Sequence, residues 1–215
     1  MKKQYIINSN GLEVYYDSDI IQQIEKKLGK FKDQKYKVLK NAINATVKQA
    51  QTDLVAKAQA EYTAKKSPLK KATSIKKAST SSPEGAVKVK GETLELRSYK
   101  ATVPKSGAKA KILTSGSLKA IQSQRGTRAR AFLAAFESGH QAIVQRQDGE
   151  EYRRDKAKRQ AKYGPHIDVT RLKKLLAISF PKMIGGEKVY GELAPSIYED
   201  LQENIRKEIQ KVVNA

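Results

Sequence analysis

The stretch DQKYKVLKNAINATVKQAQTDLVAKAQAEY, residues 33–62, contains no glycine or proline. Its apolar side chains recur at steps of three or four residues, at Tyr36, Leu39, Ile43, Val47, Ala50, Leu54 and Ala58. This spacing places them on one face of a helix and predicts a single long α-helix. Alanines lie near the stripe, at positions 42, 45, 56 and 60, so we expect a sheet or another helix to approach it closely.

The residues before this helix predict a hairpin followed by a short helix. Two apolar segments, 5–7 and 12–16, flank the sequence NSNG at 8–11, whose Asn-Gly pair suits the positive φ angles of a tight turn. Asp17, Ser18 and Asp19 then offer N-cap oxygens. One face of the short helix would carry Ile20, Ile24, Leu28 and Phe31, and Gly29 would weaken its end.

After the long helix, Ser67 and Pro68 predict the start of a second short helix, with Ser67 as N-cap, that continues to Ala78. From residue 85 to about 147 the apolar period changes to two, as in Val87/Val89 and Leu94/Leu96, which predicts an antiparallel sheet. Within it, segments 131–136 and 141–146 form a hairpin around residues 137–140. Two charged stretches, 104–109 and 145–166, are interpreted as loops.

The C-terminal part of the sequence predicts further helices. Asp168 would cap a helix carrying Val169, Leu172, Leu175 and Leu176, which Pro181 ends or kinks. A linker through Gly185 and Gly186 would lead to a last helix that starts at Pro195. Its apolar side chains are Tyr198, Leu201, Ile205, Ile209 and Val212, and this short seam is expected to pack on its own domain.

The predicted fold class is therefore α+β, with a long α-helix packed on an antiparallel β-sheet, an N-terminal hairpin and C-terminal helices. We divide the chain into an N-terminal extension at 1–32, a core α+β domain at 33–182, and a C-terminal linker and helix at 183–215. No apolar run approaches the length that crosses a membrane, and no signal-peptide core follows the N-terminal lysines. We expect a soluble protein without membrane contact.

The charge is unevenly distributed along the chain. The whole sequence has a formal net charge of +21, and residues 65–162 hold 24 Lys/Arg against 8 Asp/Glu. Such an excess of positive charge predicts a negatively charged partner, which would be nucleic acid, an anionic surface or acidic protein neighbours. The candidate interface or DNA-contact residues are Lys70, Lys71, Lys76, Lys77, Arg125, Arg128, Arg130, Arg153, Arg154, Lys156, Lys158 and Arg159. The loop at 153–159 would dock on acidic proteins, or the lysines at 70–77 would face DNA.

The search for catalytic chemistry gives no candidate. The chain has no cysteine, which excludes disulfides, thiolate catalysis and cysteine zinc sites. It also lacks a phosphate-binding glycine loop and an HExxH pattern. His140 and His166 are interpreted as turn residues that hydrogen-bond to backbone, and the Ser67-x-x-Lys70 match as coincidence in a Lys/Ser-rich segment. We expect no enzyme activity, no catalytic residues, no metal site and no cofactor.

Four short motifs occur in a familiar order. They are YTAKKSPLKKA (62–72), VKVKGETLELRSY (87–99), AFLAAFESGHQAIVQR (131–146) and YGP (163–165). Together they resemble the minor tail protein Z family of tailed bacteriophages and prophages, over about residues 34–180. The residues that carry the resemblance as fold-motif positions are Phe132, Phe136, Gly139, His140, Arg146, Tyr163, Gly164 and Pro165.

The resemblance implies a structural virion protein, assembled in the host cytoplasm, that lies at the head-proximal neck of the tail. It would complete or terminate the tail tube and join it to the head connector. The implied partners are further copies in a hexameric ring, the tail-tube or terminator protein and head–tail connector proteins, with the end of the genomic DNA as an additional contact. The alternative from the residues is a non-specific nucleic-acid-binding protein that uses the basic 65–162 segment.

Overall fold

The computed structural model describes residues 5–8, 11–14, 18–91, 93–123, 127, 130–151 and 156–215. The strands are β1 (Tyr5–Asn8), β2 (Gly11–Val14), β3 (Thr73–Lys76), β4 (Gly85–Val89), β5 (Lys100–Thr102), β6 (Lys109–Lys111), β7 (Lys119–Ala120), β8 (Phe132–Ala135), β9 (Gln141–Glu151) and β10 (Thr170–Lys174). The helices are α1 (Ser18–Leu28), α2 (Lys35–Glu61), α3 (Lys66–Ala72), α4 (Lys156–Tyr163), α5 (Phe180–Ile184) and α6 (Glu192–Val213). The α+β class predicted from the sequence is confirmed.

The chain divides into two units. Unit 1 comprises Met1–Glu61, Lys65–Glu92 and Ile178–Ala215, and unit 2 comprises Tyr62–Ala64 and Thr93–Ala177. These units do not follow the boundaries predicted after residues 32 and 182. The terminal segments, predicted as extensions, belong to the same unit as the long helix.

The long helix α2 forms the centre of unit 1. Six of the seven predicted stripe positions, from Leu39 to Ala58, are 0–1% exposed. Tyr36, at the start of the stripe, is instead 40% exposed. Helix α2 packs on β3 and β4, which belong to a four-stranded antiparallel sheet of order β1-β2-β4-β3. The predicted N-terminal hairpin is confirmed, since β1 pairs with β2 in antiparallel register.

Helices α1 and α6 complete unit 1. The predicted buried face of α1 is confirmed for Ile20, Ile24 and Leu28, which are at most 6% exposed, and Gly29 ends the helix at a φ of +55°. Phe31, predicted on the same face, lies beyond α1 in a 3₁₀ segment (Gly29–Gln34) and is half-buried. Helix α6 packs along α2, as expected for a seam on its own domain. Two side-chain hydrogen bonds join α6 to α2. Asn204 Nδ2 donates to Thr46 Oγ1 at 3.0 Å, and Asn41 Nδ2 donates to Glu208 Oε2 at 2.9 Å.

The contact between α2 and β4 has no room for a side chain at Gly85. A Cβ atom there would lie 2.6 Å from Ile43 Cγ2 and 2.8 Å from Val47 Cγ2. We expect Gly85→Ala to destabilise the protein by about 1–3 kcal/mol, because both neighbours are buried, β-branched and stiff. Urea denaturation measures the loss. Gly116→Ala, where the nearest atom lies at 3.4 Å, is the matched control, and equal stability of the two variants would contradict this packing.

Unit 2 contains two three-stranded antiparallel sheets, of order β10-β9-β8 and β5-β6-β7. A cluster of buried apolar side chains forms its core: Leu96, Ala108, Ala131, Ile143 and Leu175. The predicted hairpin of segments 131–136 and 141–146 is confirmed as β8 and β9, and Gly139 takes a φ of +76° in its turn.

The prediction of one sheet over residues 85–147 is wrong. Strand β4 pairs with β2 and β3 in unit 1, whereas the later strands form the two sheets of unit 2. Residues 96–98, predicted within a strand, form a 3₁₀ turn. The period-two pattern gives the faces of a strand but not its partners, and these come from distant parts of the chain.

Two segments predicted as helices are strands. The helix predicted to Ala78 ends at Ala72, and Thr73–Lys76 forms β3. The predicted helix after Asp168 is β10, and Asp168 Oδ1 accepts a 2.9 Å hydrogen bond from the Thr170 backbone N–H instead of capping a helix. Each segment pairs with a longer strand, β3 with β4 and β10 with β9, and this pairing outweighs a weak helical preference.

Three boundary predictions also need correction. Helix α3 begins at Lys66 with Lys65 at the cap position, so Ser67 is not its N-cap. The prediction of a loop at 145–166 is wrong for most of its length, because β9 extends to Glu151 and α4 covers Lys156–Tyr163. Pro181 lies in the first turn of α5 and does not end a helix, and α6 begins at Glu192, before Pro195.

Candidate functional site

The sheet β10-β9-β8 in unit 2 has two unlike faces. Phe132 and Lys174 both pair with Val144, and Leu172 pairs with Arg146. Residues that pair directly across antiparallel strands share a face, so all five lie on one side of the sheet. The neighbouring positions Ile143 and Leu175 point to the other side and belong to the apolar core. The face that carries Phe132, Arg146 and Lys174 therefore combines cations with an aromatic ring.

Cations lie over aromatic rings on this face. The Arg146 guanidinium is 5.2 Å from the centroid of Phe132, and its Nε is 2.9 Å from Asp168 Oδ2. The Lys174 ammonium is 5.7 Å from the centroid of Phe136. Each such contact contributes about 0.5–1 kcal/mol at an exposed site. They hold the charged groups against the sheet.

Glu95 brings together two groups that are far apart in the sequence. Its carboxylate lies 2.9 Å from His140 Nε2 and 3.2 Å from Lys174 Nζ. His140 also stacks on Phe136, with ring centroids 6.0 Å apart and planes at 23°. The His140 carbonyl accepts the backbone hydrogen bond of Phe136, as expected of a turn residue. Its pairing with Glu95 was not predicted.

Partial burial on its own raises the pKa of Glu95, but the hydrogen bonds from Lys174 and His140 outweigh burial, so the pKa lies below its usual value. The ionised carboxylate therefore stabilises the folded state above the unfolded-state pKa of about 4.3, and this contribution is lost as the pH falls through the folded-state pKa.

We expect Glu95→Gln to lower the free energy of unfolding by about 0.5–1 kcal/mol at pH 6, because the ion pairs are partly exposed. The difference from the wild type should shrink as the pH falls below about 4. Urea denaturation at a series of pH values measures both. Glu199→Gln, at an exposed position of α6, is the control. A Glu95→Gln deficit that does not change with pH would contradict the ion-pair account.

A groove runs beside helix α4 in unit 2. It has a volume of about 700 Å³, and we call it the α4 groove. Its lining residues are Ala135, Phe136, Glu137, Lys158, Arg159, Lys162, Tyr163 and Leu172. No residue of α4 is buried, so the helix exposes its side chains and does not fill the core. The α4 groove is basic, with aromatic side chains in its walls.

The structure brings part of the predicted contact set to this groove. Lys158 and Arg159 line it, and Lys156, on the same helix, pairs with Glu151 at 3.5 Å. Arg130 is exposed just before β8. Arg125, Arg128, Arg153 and Arg154 lie outside the described residues.

The four predicted lysines at 70–77 belong to unit 1. Lys70 and Lys71 lie in the last turn of α3, Lys76 ends β3, and Lys77 follows it. Lys76 pairs with Glu84 at 3.8 Å. They are exposed side chains spread over a helix end and a strand, and do not line the α4 groove.

Residues around the groove that were not predicted as contacts include Lys162 and Lys174. Lys162 lies one helical turn beyond Lys158, so a helical reading of 156–163 would have found it. Glu95 and Lys174 are 79 residues apart, and no local pattern connects them.

Comparison with protein-family models, with curated proteins and with solved structures gives no match for this chain. Within the described residues, no group of three or more His, Asp or Glu side chains is placed to hold a metal ion. None of the helices in the described part of the chain is long and apolar enough to cross a membrane.

Proposed function

We propose that this protein is a structural component of a tailed-phage virion, which completes the tail tube and joins it to the head connector at the neck. The proposal starts from the resemblance of four ordered motifs to the minor tail protein Z family. It assigns the protein no catalytic role and places its function in contacts with neighbouring proteins and with the DNA end.

The observation that carries this proposal is that residues of two of the four motifs, 131–146 and 163–165, lie close together. Phe132 contacts Arg146, Phe136 stacks on His140, and Tyr163 lines the same groove as Phe136. The two motif glycines, Gly139 and Gly164, take φ values of +76° and +95° at turns, where other residues are strained. The motifs at 131–146 and 163–165 therefore contribute to one surface of unit 2, which supports the proposal.

The charge of unit 2 supports a role in assembly. Its sequence holds 19 Lys/Arg and 7 Asp/Glu. Cationic surfaces of this kind steer and orient association with acidic partners. We propose that unit 2 faces acidic surfaces of the tail-tube or connector proteins within a closed sixfold ring, because closed cyclic symmetry fits a tubular neighbour.

The second candidate is a non-specific nucleic-acid-binding protein that acts outside a virion. The α4 groove favours it, since cations beside exposed aromatic rings are typical of surfaces that bind nucleic acid. The two candidates differ in where the protein is found.

Mass spectrometry of gradient-purified virions from the encoding phage or induced prophage tests the choice. The neck proposal predicts peptides of this chain in the virion fraction, at a copy number similar to that of the connector proteins. A protein that remains in the lysate with cellular nucleic acid, while connector peptides are recovered from the virions, would contradict the neck proposal and favour the second candidate.

A further inference from the structure

Two aromatic rings line the α4 groove, those of Tyr163 and Phe136. Tyr163, at the end of α4, is 55% exposed. Phe136 directly follows β8, and its ring is held by stacking on His140. The Lys162 ammonium lies 5.1 Å from the centroid of the Tyr163 ring, so a planar ligand group would stack on the face that Lys162 does not cover.

The charged side chains of the groove are strongly biased to one sign. Lys158, Arg159 and Lys162 line it, and among the described residues Glu137 is the one acidic side chain in its lining. Glu137 pairs with Lys162 at 3.2 Å, with their side chains 83% and 60% exposed. An ion pair this exposed contributes little to stability, so an incoming anion can replace Glu137. Two hydrogen bonds raise the pKa of Lys162, and the bond with Tyr163 contributes more than the bond with Glu137. The Lys162 ammonium therefore stays positively charged.

This combination selects among anionic partners. An acidic peptide would satisfy the cations but would leave the Tyr163 ring without a planar partner. A duplex offers phosphates, but its bases stack on one another and are closed to the ring. An unpaired strand offers both phosphates and free base faces, and stacking of a base on an aromatic side chain contributes about 1–3 kcal/mol.

We propose that the α4 groove binds single-stranded nucleic acid, with a base stacked on Tyr163 and phosphates held by Lys158, Arg159 and Lys162. The groove volume of about 700 Å³ suits a short segment of a strand. Arg146 and Lys174 lie on the same sheet face as the lining residue Leu172, but each is paired with a carboxylate, Asp168 or Glu95, and adds little positive charge. This inference goes beyond the neck assignment, because it concerns the purified protein and holds wherever the protein acts.

Fluorescence anisotropy with a labelled oligothymidylate of about 16 nucleotides, the upper end of a typical single-strand site, tests the proposal. The wild-type protein is expected to bind this strand more tightly than a duplex of equal length. Tyr163→Ala should weaken single-strand binding by about 5- to 150-fold, the equivalent of one lost stacking contact, and leave duplex binding unchanged. Tyr163→Phe, which keeps the ring, should restore the affinity.

The double variant Lys158→Ala/Lys162→Ala tests the phosphate contacts. We expect it to weaken binding and to reduce the slope of log K against log salt by about 1.4, which corresponds to two phosphates of a single strand. The matched control is Lys26→Ala/Lys27→Ala, which removes two exposed lysines from α1 in unit 1. All these positions are exposed, and circular dichroism confirms that each variant is folded.

Three results would overturn the proposal. They are absence of single-strand binding at low salt, equal affinity of Tyr163→Ala and the wild type, and equal losses in the α4 and α1 double variants. A protein that binds duplex and single strand alike, with no effect of Tyr163, would carry only a general positive surface. None of these results bears on whether the protein is present in virions, so the neck proposal is tested separately.

Discussion

Replacing Leu54 with alanine is expected to lower the free energy of unfolding by about 2–5 kcal/mol, as for other buried leucines. Leu54 is 0% exposed on the inner face of α2, the helix on which β3, β4 and α6 all pack. Alanine has the highest helix propensity, so the substitution does not weaken the helix itself. The loss therefore measures packing alone. Urea denaturation followed by circular dichroism gives its size.

Lys48→Ala on the same helix is the control, because Lys48 is exposed. Its effect should stay within about 0.5 kcal/mol, the usual range for a surface position. If Leu54→Ala were no more harmful than Lys48→Ala, α2 would not be the central helix of unit 1.

The second large effect is expected at Gln145, which is 0% exposed in the middle of β9. Its side-chain Oε1 accepts a 3.0 Å hydrogen bond from Thr127 Oγ1, and its Nε2 donates a 3.0 Å hydrogen bond to the Gln122 carbonyl. Gln145→Leu keeps the approximate size but deprives both partners of these bonds. We expect a loss of about 1–3 kcal/mol, the cost of leaving buried polar groups unsatisfied.

Gln147→Leu, two residues along the same strand and half-buried, is the matched control. Hydrogen exchange of the β9 amides locates the effect in unit 2. A Gln145→Leu variant with the exchange protection of Gln147→Leu would show that the two hydrogen bonds do not stabilise β9. Arg146, on the same strand, contacts the Phe132 ring. A loosened β9 should therefore also lower the affinity of the α4 groove for a ligand.

The parts of the fold that the sequence predicts well are those whose patterns are local. In α2 the apolar step of three or four residues persists over 27 residues, so a helix is the only element that buries them together. The hairpins β1–β2 and β8–β9 join strands that are close in sequence, with Gly11 at the start of β2 and Gly139 just before β9. These elements need no information from distant residues.

The β10 segment shows why other predictions fail. Leu172 and Leu175 are three residues apart, so in a helix they would share one face. In the extended chain their side chains point to opposite sides. Leu175 enters the core at 1% exposure, whereas Leu172 lines the α4 groove on the other side. Pairing with β9 determines this arrangement, and a periodicity of a few residues does not reveal the partner strand.

The candidate site was predictable in composition but not in geometry. Lys158 and Arg159 were predicted as contacts from the charge excess, and Phe136 and Tyr163 as motif positions. Their meeting around one groove depends on α4, which the charge-rich sequence had suggested to be a loop. Because no residue of α4 is buried, it leaves no apolar stripe for a sequence pattern to detect.

The central claim is that this protein is a neck component, and electron cryomicroscopy of intact virions tests it most directly. The account predicts a ring of density between the tail tube and the head connector into which units 1 and 2 fit, with the basic unit 2 against acidic neighbours or the DNA end. A neck whose density is fully explained by other proteins, in particles that lack this chain, would contradict it.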